Sequence, residues 1–222
     1  MQQGNGSLTN NSAEIIGVIA SELTFSHEVY GEGFYNFSVR VPRLSEAYDI
    51  LPVTISDRLI DENIFEIGKE VHILGQIRSY NNYVESDKRN KLILTLFTRE
   101  IELTSEPSAK NPNAVYLNGF ICKTPVYRST PFGREISDIL IAVNRSYNKS
   151  DYIPCIAWGR NARFASRLNI GENIEIWGRM QSRNYQKKYD DGVTEEKTAY
   201  EISIAKLECA KSVERTPAEN DD

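Results

Sequence analysis

The chain repeats itself at a nearly constant offset, and this repeat limits the possible folds more than any other feature. The offset is 102 residues for three pairs of segments and 103 residues for the fourth. The matched segments are Ile16-Gly17-Val18-Ile19 with Asn118-Gly119-Phe120-Ile121, Val41-Pro42-Arg43 with Val143-Asn144-Arg145, Asp49-Ile50-Leu51-Pro52-Val53 with Asp151-Tyr152-Ile153-Pro154-Cys155, and residues 67–75 with 170–178. A constant offset with one inserted residue indicates a duplicated domain.

The repeat divides the 222 residues into two domains of ordinary size. We expect a first half at residues 13–103 and a second half at residues 113–209. Residues 104–112 are polar and contain proline, which is typical of a linker. Residues 1–12 are interpreted as a flexible N-terminus, and residues 210–222 as a short acidic tail.

Hydrophobic residues alternate with polar residues through most of each half, which predicts β-strands. A helix is predicted at Arg160–Leu168, before Gly171, and its counterpart lies between Asp57 and Gly68. Each half therefore has three strands, a short helix and two further strands. This is the order of an OB-fold, a five-stranded Greek-key barrel, although other small β-barrels share it. The predicted fold class is all-β, with two tandem OB-folds.

The third strand of each half has two distinct faces, because successive side chains point to opposite sides. We assign Ile153, Cys155 and Ala157 to the barrel interior. The opposite face carries Tyr152, Pro154, Ile156 and Trp158. In the first half the interior set is Leu51, Val53 and Ile55, and the outward set is Ile50, Pro52, Thr54 and Ser56. Outward aromatic residues occur only in the second half, and packing alone does not explain this difference.

Basic residues flank the aromatic residues of the second half. The aromatic candidates are Phe132, Tyr147, Tyr152, Trp158 and Tyr185, and the basic candidates are Arg134, Arg145, Lys149, Arg160, Arg183, Lys187 and Lys188. Unpaired bases stack on aromatic rings while cations follow the phosphates, so this pattern indicates single-stranded nucleic acid. By contrast, Trp177 has one basic neighbour, Arg179, and is interpreted as packing against another barrel.

The net charge of −5 argues against a nucleic-acid partner only when it is taken as a sum. Residues 14–103 carry 9 basic and 15 acidic side chains, whereas residues 114–189 carry 12 basic and 5 acidic side chains. Residues 190–222 carry 4 basic and 10 acidic side chains. The positive charge is therefore concentrated in the half that carries the outward aromatic residues.

Residue types needed for catalysis or metal binding are sparse. The chain has two histidines, three cysteines without a CxxC pair, and no HExxH, GxxxxGK[ST] or GxSxG motif. We therefore expect no enzymatic activity, no cofactor and no metal. The start of the sequence lacks the features of a signal peptide, and no apolar run could span a membrane, so a cytoplasmic, nucleoid-associated protein is expected.

Several motifs of the second half occur together in the order and spacing of one known family. They are Val115-Tyr116-Leu117-Asn118-Gly119, Thr130-Pro131-Phe132-Gly133, Ile139-Leu140-Ile141-Ala142-Val143-Asn144-Arg145, Tyr152-Ile153-Pro154-Cys155-Ile156-Ala157-Trp158-Gly159-Arg160, Gly171, and Gly178-Arg179-Met180-Gln181-Ser182-Arg183-Asn184-Tyr185. This half resembles the bacterial single-stranded DNA-binding protein family. The resemblance implies OB-folds that wrap single-stranded DNA, without catalysis, in replication, repair or recombination. It also implies base stacking on Tyr147, Tyr152, Trp158 and Tyr185, with basic contacts from Arg160 and Arg183.

The chain departs from this family in three respects. At the four stacking positions the first half has Ser45, Ile50, Ser56 and about Asn82, although Tyr48, Tyr80 and Tyr83 lie nearby. The tail ends Glu219-Asn220-Asp221-Asp222 without the apolar tip by which the family recruits replication and repair proteins. Finally, two folds in one chain suggest a homodimer that presents the usual four.

Two other functions remain open at this stage. A tandem barrel could act as an adaptor that binds a protein partner through its first half. Alternatively, it could bind single-stranded RNA, because OB-folds bind either polymer and no residue in the sequence identifies a site for a 2′-hydroxyl group.

Overall fold

The computed structural model describes residues 10–43, 45, 47–84, 89–104, 113–188 and 192–210. Most of the predicted N-terminal segment, most of the predicted linker and the tail from residue 211 lie outside this range. The side chains of Tyr83 and Lys188 are also outside the described set. Conclusions about those segments therefore stay predictions.

The described residues form two similar sets of strands. The first half has β1 (Asn11–Ile19), β2 (Thr24–Val29), β3 (Glu32–Pro42), β4 (Tyr48–Ser56), β5 (Glu70–Val84) and β6 (Arg89–Leu103). The second half has β7 (Asn113–Ile121), β8 (Val126–Ser129), β9 (Glu135–Asn144), β10 (Ser150–Trp158), α1 (Arg160–Ala165), β11 (Asn173–Lys188) and β12 (Thr194–Cys209). Each half is an OB-fold, which confirms the predicted fold class, and each has one additional short edge strand, β2 or β8.

Each barrel closes through the same pairings. In the first half β1 pairs with both β5 and β3, and β4 runs parallel to β6. In the second half β7 pairs with both β11 and β9, and β10 runs parallel to β12. The two closed sets of strands match the two copies of the sequence repeat.

The repeated glycines lie where strands approach one another closely. A Cβ atom on Gly17 or Gly119 would lie 2.8 Å from the carbonyl oxygen of the facing strand. A Cβ atom on Gly75 or Gly178 would lie only 2.3 Å from such an oxygen. The strand register shifts at these last two glycines in both halves. The repeat therefore preserves glycine where the barrel leaves no room for a side chain.

The helical segments differ between the halves. Helix α1 ends at Ala165, earlier than the predicted Leu168, and the first half has only a turn of 3-10 helix at Asp57–Leu59. Polar side chains hold this turn: Ser56 Oγ accepts a bond from the Arg58 amide, and the Asp57 carboxylate accepts one from the Gly33 amide. Ser56 thus caps the N-terminus of this turn.

The two barrels share one continuous sheet, because β1 pairs with β7 in antiparallel register. Ala13 lies opposite Val115, and these two residues occupy equivalent positions of the repeat. The pairing is therefore centred on a pseudo-two-fold axis. One cluster of buried apolar residues extends through both halves.

Two buried asparagines reinforce the shared sheet. The Asn11 side chain donates to the Ile77 carbonyl at 2.7 Å and accepts from the Ile77 amide at 2.9 Å. Asn113 makes the same two bonds with Met180, at the same distances. Each side chain thus supplies hydrogen bonds to the neighbouring strand where the backbone ladder does not.

Two buried carboxylates connect the halves across this axis. Asp49 accepts hydrogen bonds from the amide and the hydroxyl of Ser182, at 2.7 and 2.9 Å. The equivalent Asp151 accepts one from the amide of Ser79 at 2.8 Å. Because each carboxylate belongs to one half and each serine to the other, these bonds fix the relative placement of the two barrels.

The predicted interior faces are confirmed. Leu51, Val53 and Ile55 are buried in the first barrel, as are Ile153, Cys155 and Ala157 in the second. Three residues assigned to the outward faces are nevertheless buried, so the prediction that the whole face is exposed was wrong at those positions: Thr54, Ser56 and Ile156. Thr54 bonds to Asn36 and Thr95, and Ser56 bonds to Glu32, which shows that neighbouring strands cover the face.

Candidate functional site

The loop between β9 and β10 presents three of the predicted site residues. A hydrogen bond of 2.7 Å from the Arg145 amide to the Lys149 carbonyl closes this loop. Tyr147 lies at its tip with φ of 60°, and its side chain is 95% exposed. Asn148 also has a positive φ of 54°. The backbone turn thus holds an aromatic ring in solvent between two basic residues.

Strand β10 carries the next two aromatic candidates on one face. Tyr152 is 46% exposed and Trp158 is 38% exposed. The six-residue separation corresponds to about 20 Å along an extended strand. Pro154 is partly exposed between them, and Ile156 is buried. The strand therefore spaces two aromatic rings along one edge of the barrel.

The turn after β10 places Arg160 beside Trp158. Gly159 joins the strand to α1 with φ of 53° and ψ of −118°, a backbone conformation that side chains rarely permit. Its amide donates to the Glu135 carbonyl at 3.0 Å, which attaches the turn to β9. Arg160 is exposed as the first residue of the helix.

Strand β11 presents Arg183, Tyr185 and Lys187 on one face, because they alternate along the strand. The Arg183 guanidinium lies 5.9 Å from the centre of the Tyr185 ring. Arg183 also lies 3.7 Å from the carboxylate of Glu201 on the paired strand β12.

The acidic residues of β12 reduce the positive charge around Arg183 and Lys187 of β11. Lys187 is opposite Glu195 in the strand register. Four of the acidic residues counted beyond position 190 belong to β12, which makes them part of the barrel: Glu195, Glu196, Glu201 and Glu208. Residues 113–209 have 14 basic and 11 acidic side chains, a net charge of +3. The excess positive charge of the second half is thus smaller than residues 114–189 alone indicate.

Phe132 and Arg134 lie in the turn between β8 and β9. The Thr130 amide donates to the Arg134 carbonyl at 2.8 Å, and Gly133 has φ of 73°. The Phe132 side chain is 92% exposed. This turn lies at the same end of the sheet as Trp158, because Trp158 pairs with Ile136 at the start of β9.

The structure brings together residues that are distant in sequence at one boundary between the halves. Arg145, Tyr147 and Lys149 line a cavity of about 450 Å³ with Arg78 and Arg99 of the first half. Sequence reasoning missed both arginines of the first half. Arg78 and Tyr80 alternate on β5 as the cation and aromatic residue do on β11, and this pattern is the signal that could have identified them.

Trp177 does not line this cavity; it lies on the outer face of the shared sheet, in a separate groove that Arg99 also lines. Its ring is 5.3 Å from that of Tyr116, and the Lys206 ammonium lies 4.3 Å from its centre. It lines a groove of about 480 Å³ that includes Leu74 of the first half. Its packing against another barrel stays a prediction.

The described ranges were also compared with the requirements for disulfide bonds, metal sites and membrane-spanning helices. Cys122, Cys155 and Cys209 are free thiols, and burial raises the pKa of Cys155 far above its ordinary value. No group of three or more His, Cys, Asp or Glu side chains there could hold a metal ion. None of the helices described is long and apolar enough to cross a membrane.

Comparison with known families confirms the resemblance of the second half. Residues 112–210 match the sequence model of the single-strand binding protein family. Single-stranded DNA-binding protein 1 of Staphylococcus aureus (strain COL) is 35% identical over 83 residues, which are 34% of this chain and 50% of that protein. Single-stranded DNA-binding protein A of Bacillus subtilis (strain 168) is also 35% identical over 83 residues, which are 34% of this chain and 48% of that protein. The chain spans about half the length of these curated relatives.

The whole two-barrel architecture is similar to a solved structure. The wild-type single-stranded DNA binding protein from Thermus aquaticus superposes with a TM-score of 0.71 and 18% sequence identity. The match covers 94% of this chain and 95% of that chain. At this identity the similarity establishes the fold.

Proposed function

We propose that this protein, whose second half matches the single-strand binding protein family, binds single-stranded DNA without sequence preference. It would protect the strand during replication, repair or recombination. One observation carries the proposal: exposed Tyr147, Tyr152 and Trp158 follow one another along β10 and its adjoining loop, with cations at both ends. An unpaired strand offers both base faces and phosphates to such a surface, whereas a duplex buries the base faces.

The proposed roles of the residues follow from their chemistry. Four rings stack on bases: Tyr147, Tyr152, Trp158 and Tyr185. The cations contact phosphates: Arg145, Lys149, Arg160, Arg183, Lys187 and Lys188. Phe132 and Arg134 extend the surface beyond Trp158. In this proposal residues 113–209 form the main binding domain, and residues 13–103 form the diverged OB-fold.

The central test uses Trp158 as both ligand contact and reporter. A Trp177→Phe background leaves Trp158 as the sole tryptophan. Its fluorescence is expected to quench on addition of oligo-dT, because stacking places a base against the indole ring. Replacing Trp158 with Ala in the wild-type background should weaken binding by about 1–3 kcal/mol, measured by a gel shift or by anisotropy of labelled oligo-dT. The fold should be kept, because Trp158 lies outside the buried cluster.

The control and the salt series complete this test. Trp177→Phe alone should bind like the wild-type protein, because phenylalanine keeps an aromatic ring at position 177 and Trp177 lies outside the proposed DNA-binding residues. Affinity should fall steeply with salt, because bound cations release counterions from the phosphates. Absence of quenching and of a gel shift at low salt would overturn the proposal and favour a protein-binding adaptor. Equal affinity for oligo-U would instead assign the site to single strands of either polymer.

We further propose that two chains associate to present four OB-folds. The contact we favour is the outer face of the shared sheet, where Leu74, Tyr116 and Trp177 line an open groove. A molecular mass in solution equal to a single chain at all concentrations would exclude this dimer.

The proposed activity is DNA binding, without catalysis or a cofactor, and the proposed location is the cytoplasm, in association with the nucleoid. We propose replication or repair proteins as further partners.

A further inference from the structure

Four cations from both halves converge on one boundary between the barrels. Arg78 and Arg99 lie on the hairpin of β5 and β6, while Arg145 and Lys149 lie in the β9–β10 loop. All four line the cavity of about 450 Å³ that also contains Tyr147. We call these four residues the boundary cations.

One buried carboxylate organises this cluster without neutralising it. The Asp151 side chain accepts from Arg78 at 3.2 Å and from Arg145 at 3.4 Å. The cluster therefore carries four positive charges against one negative charge. Burial, and then the positive charges of Arg145 and Arg99, lower the pKa of Arg78, with Asp151 opposing them. Like charges held this close favour the binding of an anion.

The pseudo-symmetry of the molecule supplies an internal control. The boundary related by the pseudo-two-fold axis has the same backbone arrangement. There, the positions equivalent to Arg78, Arg99, Arg145 and Lys149 hold, in that order, Gln181, Ala205, Arg43 and Ala47. That boundary also has Arg179 where this one has Gln76. Since the second boundary forms the same architecture with fewer cations, the fold itself does not require the boundary cations.

A second cavity, of about 420 Å³, adjoins the cluster in the first half, and Arg78 and Arg145 line both cavities. Its walls include the rings of His27, Tyr80 and Phe97. Its polar lining includes Thr54 and Thr95, whose hydroxyl oxygens lie 2.9 Å apart. This volume falls within the range of small-ligand sites, and the combination of flat rings with a few polar groups suits a nucleobase.

The aromatic wall is held in place by neighbouring rings. The His27 ring stacks on Phe34 with centres 5.0 Å apart, and the Phe34 ring lies 5.8 Å from Phe97. The Arg78 guanidinium lies 5.8 Å from the centre of Phe97. The base cavity and the boundary cations are therefore physically connected through Arg78.

We infer that this boundary binds one nucleotide unit of a single strand, with its phosphate among the boundary cations and its base in the adjoining cavity of the first half. The inference rests on the proposed binding of single-stranded DNA. It gives the first half direct contacts with DNA, and these contacts are at positions other than the stacking positions of the second half. The DNA strand then crosses from Tyr147 of the second barrel onto the first barrel at Arg145 and Arg78.

Arg99→Ala is the most direct test, because Arg99 is exposed and no hydrogen bond or ion pair of its side chain is described. Arg99 also lines the groove proposed as the dimer contact, so the molecular mass of the variant in solution must equal that of the wild-type protein. The variant should bind oligo-dT at least fivefold more weakly. Loss of one phosphate contact should also reduce the slope of log affinity against log salt by about 0.7 for a single strand. Arg167→Ala is the matched control, since this exposed arginine lines neither cavity and the charge change is the same. It should match the wild-type protein in both measurements.

Tyr80→Ala tests the base cavity separately. It should lower oligo-dT affinity at least fivefold while leaving the salt slope unchanged, because it removes stacking and no charge. Thermal unfolding of each variant shows whether the fold is kept. If Arg99→Ala behaves like Arg167→Ala while the wild-type protein binds oligo-dT, the inference is wrong and the proposed function stands.

Two further outcomes separate the alternatives. Failure of the wild-type protein to bind oligo-dT would remove the proposed function itself. Thymidine 5′-monophosphate alone should occupy the boundary far more weakly than the oligonucleotide. If it binds with equal affinity, the site serves a free nucleotide, and the inference that a strand crosses here fails.

Discussion

At the scale of single residues, Tyr147 combines an unfavourable backbone with an exposed ring. Its φ of 60° lies in the left-handed region, which costs most residues about 1–2 kcal/mol. Its exposed side chain returns little of that cost through burial. In the proposed function, a base stacked on this ring supplies the contact that burial does not.

This argument predicts opposite effects of Tyr147→Asn on stability and on binding. Asparagine tolerates the left-handed region, so the free energy of unfolding should rise by up to about 1 kcal/mol. Oligo-dT affinity should fall, because the stacking ring is lost. Urea unfolding and an anisotropy titration measure the two effects.

Tyr147→Phe is the matched control, because it keeps the ring and the backbone preference. Both its stability and its affinity should match the wild-type protein. If Tyr147→Asn binds oligo-dT as tightly as Tyr147→Phe does, Tyr147 is not a stacking residue.

At the scale of strands, a repeated glycine marks a close approach between strands in each barrel. Gly178 on β11 faces the Ser203 carbonyl, and Gly75 on β5 faces the Phe97 carbonyl. Backbone atoms cannot move aside as flexible side chains do. The register shift at these positions is therefore part of how the barrel closes.

Replacing Gly178 with Ala should destabilise the protein by about 1–3 kcal/mol, because the new Cβ would overlap a backbone oxygen. Urea unfolding followed by circular dichroism measures this loss. Gly33→Ala is the control, since its Cβ would first meet a side-chain oxygen of Asp57, at 3.0 Å, and no backbone atom. Equal losses in the two variants would show that close approach to the backbone is not the cause.

At the scale of the whole molecule, a buried carboxylate links the barrels and should make their association sensitive to acid. Burial alone would raise the pKa of Asp49, but hydrogen bonds from Arg43 and Ser182 outweigh burial and hold the pKa below its ordinary value. A depressed pKa in the folded state stabilises the protein above about pH 4, the ordinary value for an aspartate. This stabilisation is lost as the pH falls through the depressed pKa.

The free energy of unfolding should therefore decline in acid, and Asp49→Asn should lack this part of the decline. At pH 7 the variant should be less stable by about 1–3 kcal/mol, because a charged hydrogen-bond acceptor is replaced by a neutral one. Urea unfolding at a series of pH values measures both effects. Arg43→Ala should also lack this decline, because without the guanidinium burial is opposed only by the hydrogen bonds from Ser182 and the pKa of Asp49 rises. Identical profiles for Asp49→Asn and the wild-type protein would refute this assignment.

Much of the fold could be predicted because its signals are local. The strand faces at Leu51–Ile55 and Ile153–Ala157 follow from alternation, which is a property of neighbouring residues. The duplication is visible as a constant offset. Thr54, Ser56 and Ile156 were assigned wrongly because their burial depends on neighbouring strands that alternation does not identify.

The sequence by itself therefore determined two β-barrels, their interior residues, and the aromatic and basic residues around Tyr147, Trp158 and Tyr185. Only the tertiary structure decided which distant residues meet. The pairing of β1 with β7 places Arg78 and Arg99 beside Arg145 and Lys149, and the pairing of β11 with β12 places Glu195 opposite Lys187. Periodicity reports which side of a strand faces the core, whereas closure of the barrels and their pseudo-two-fold arrangement determine which charges share a surface.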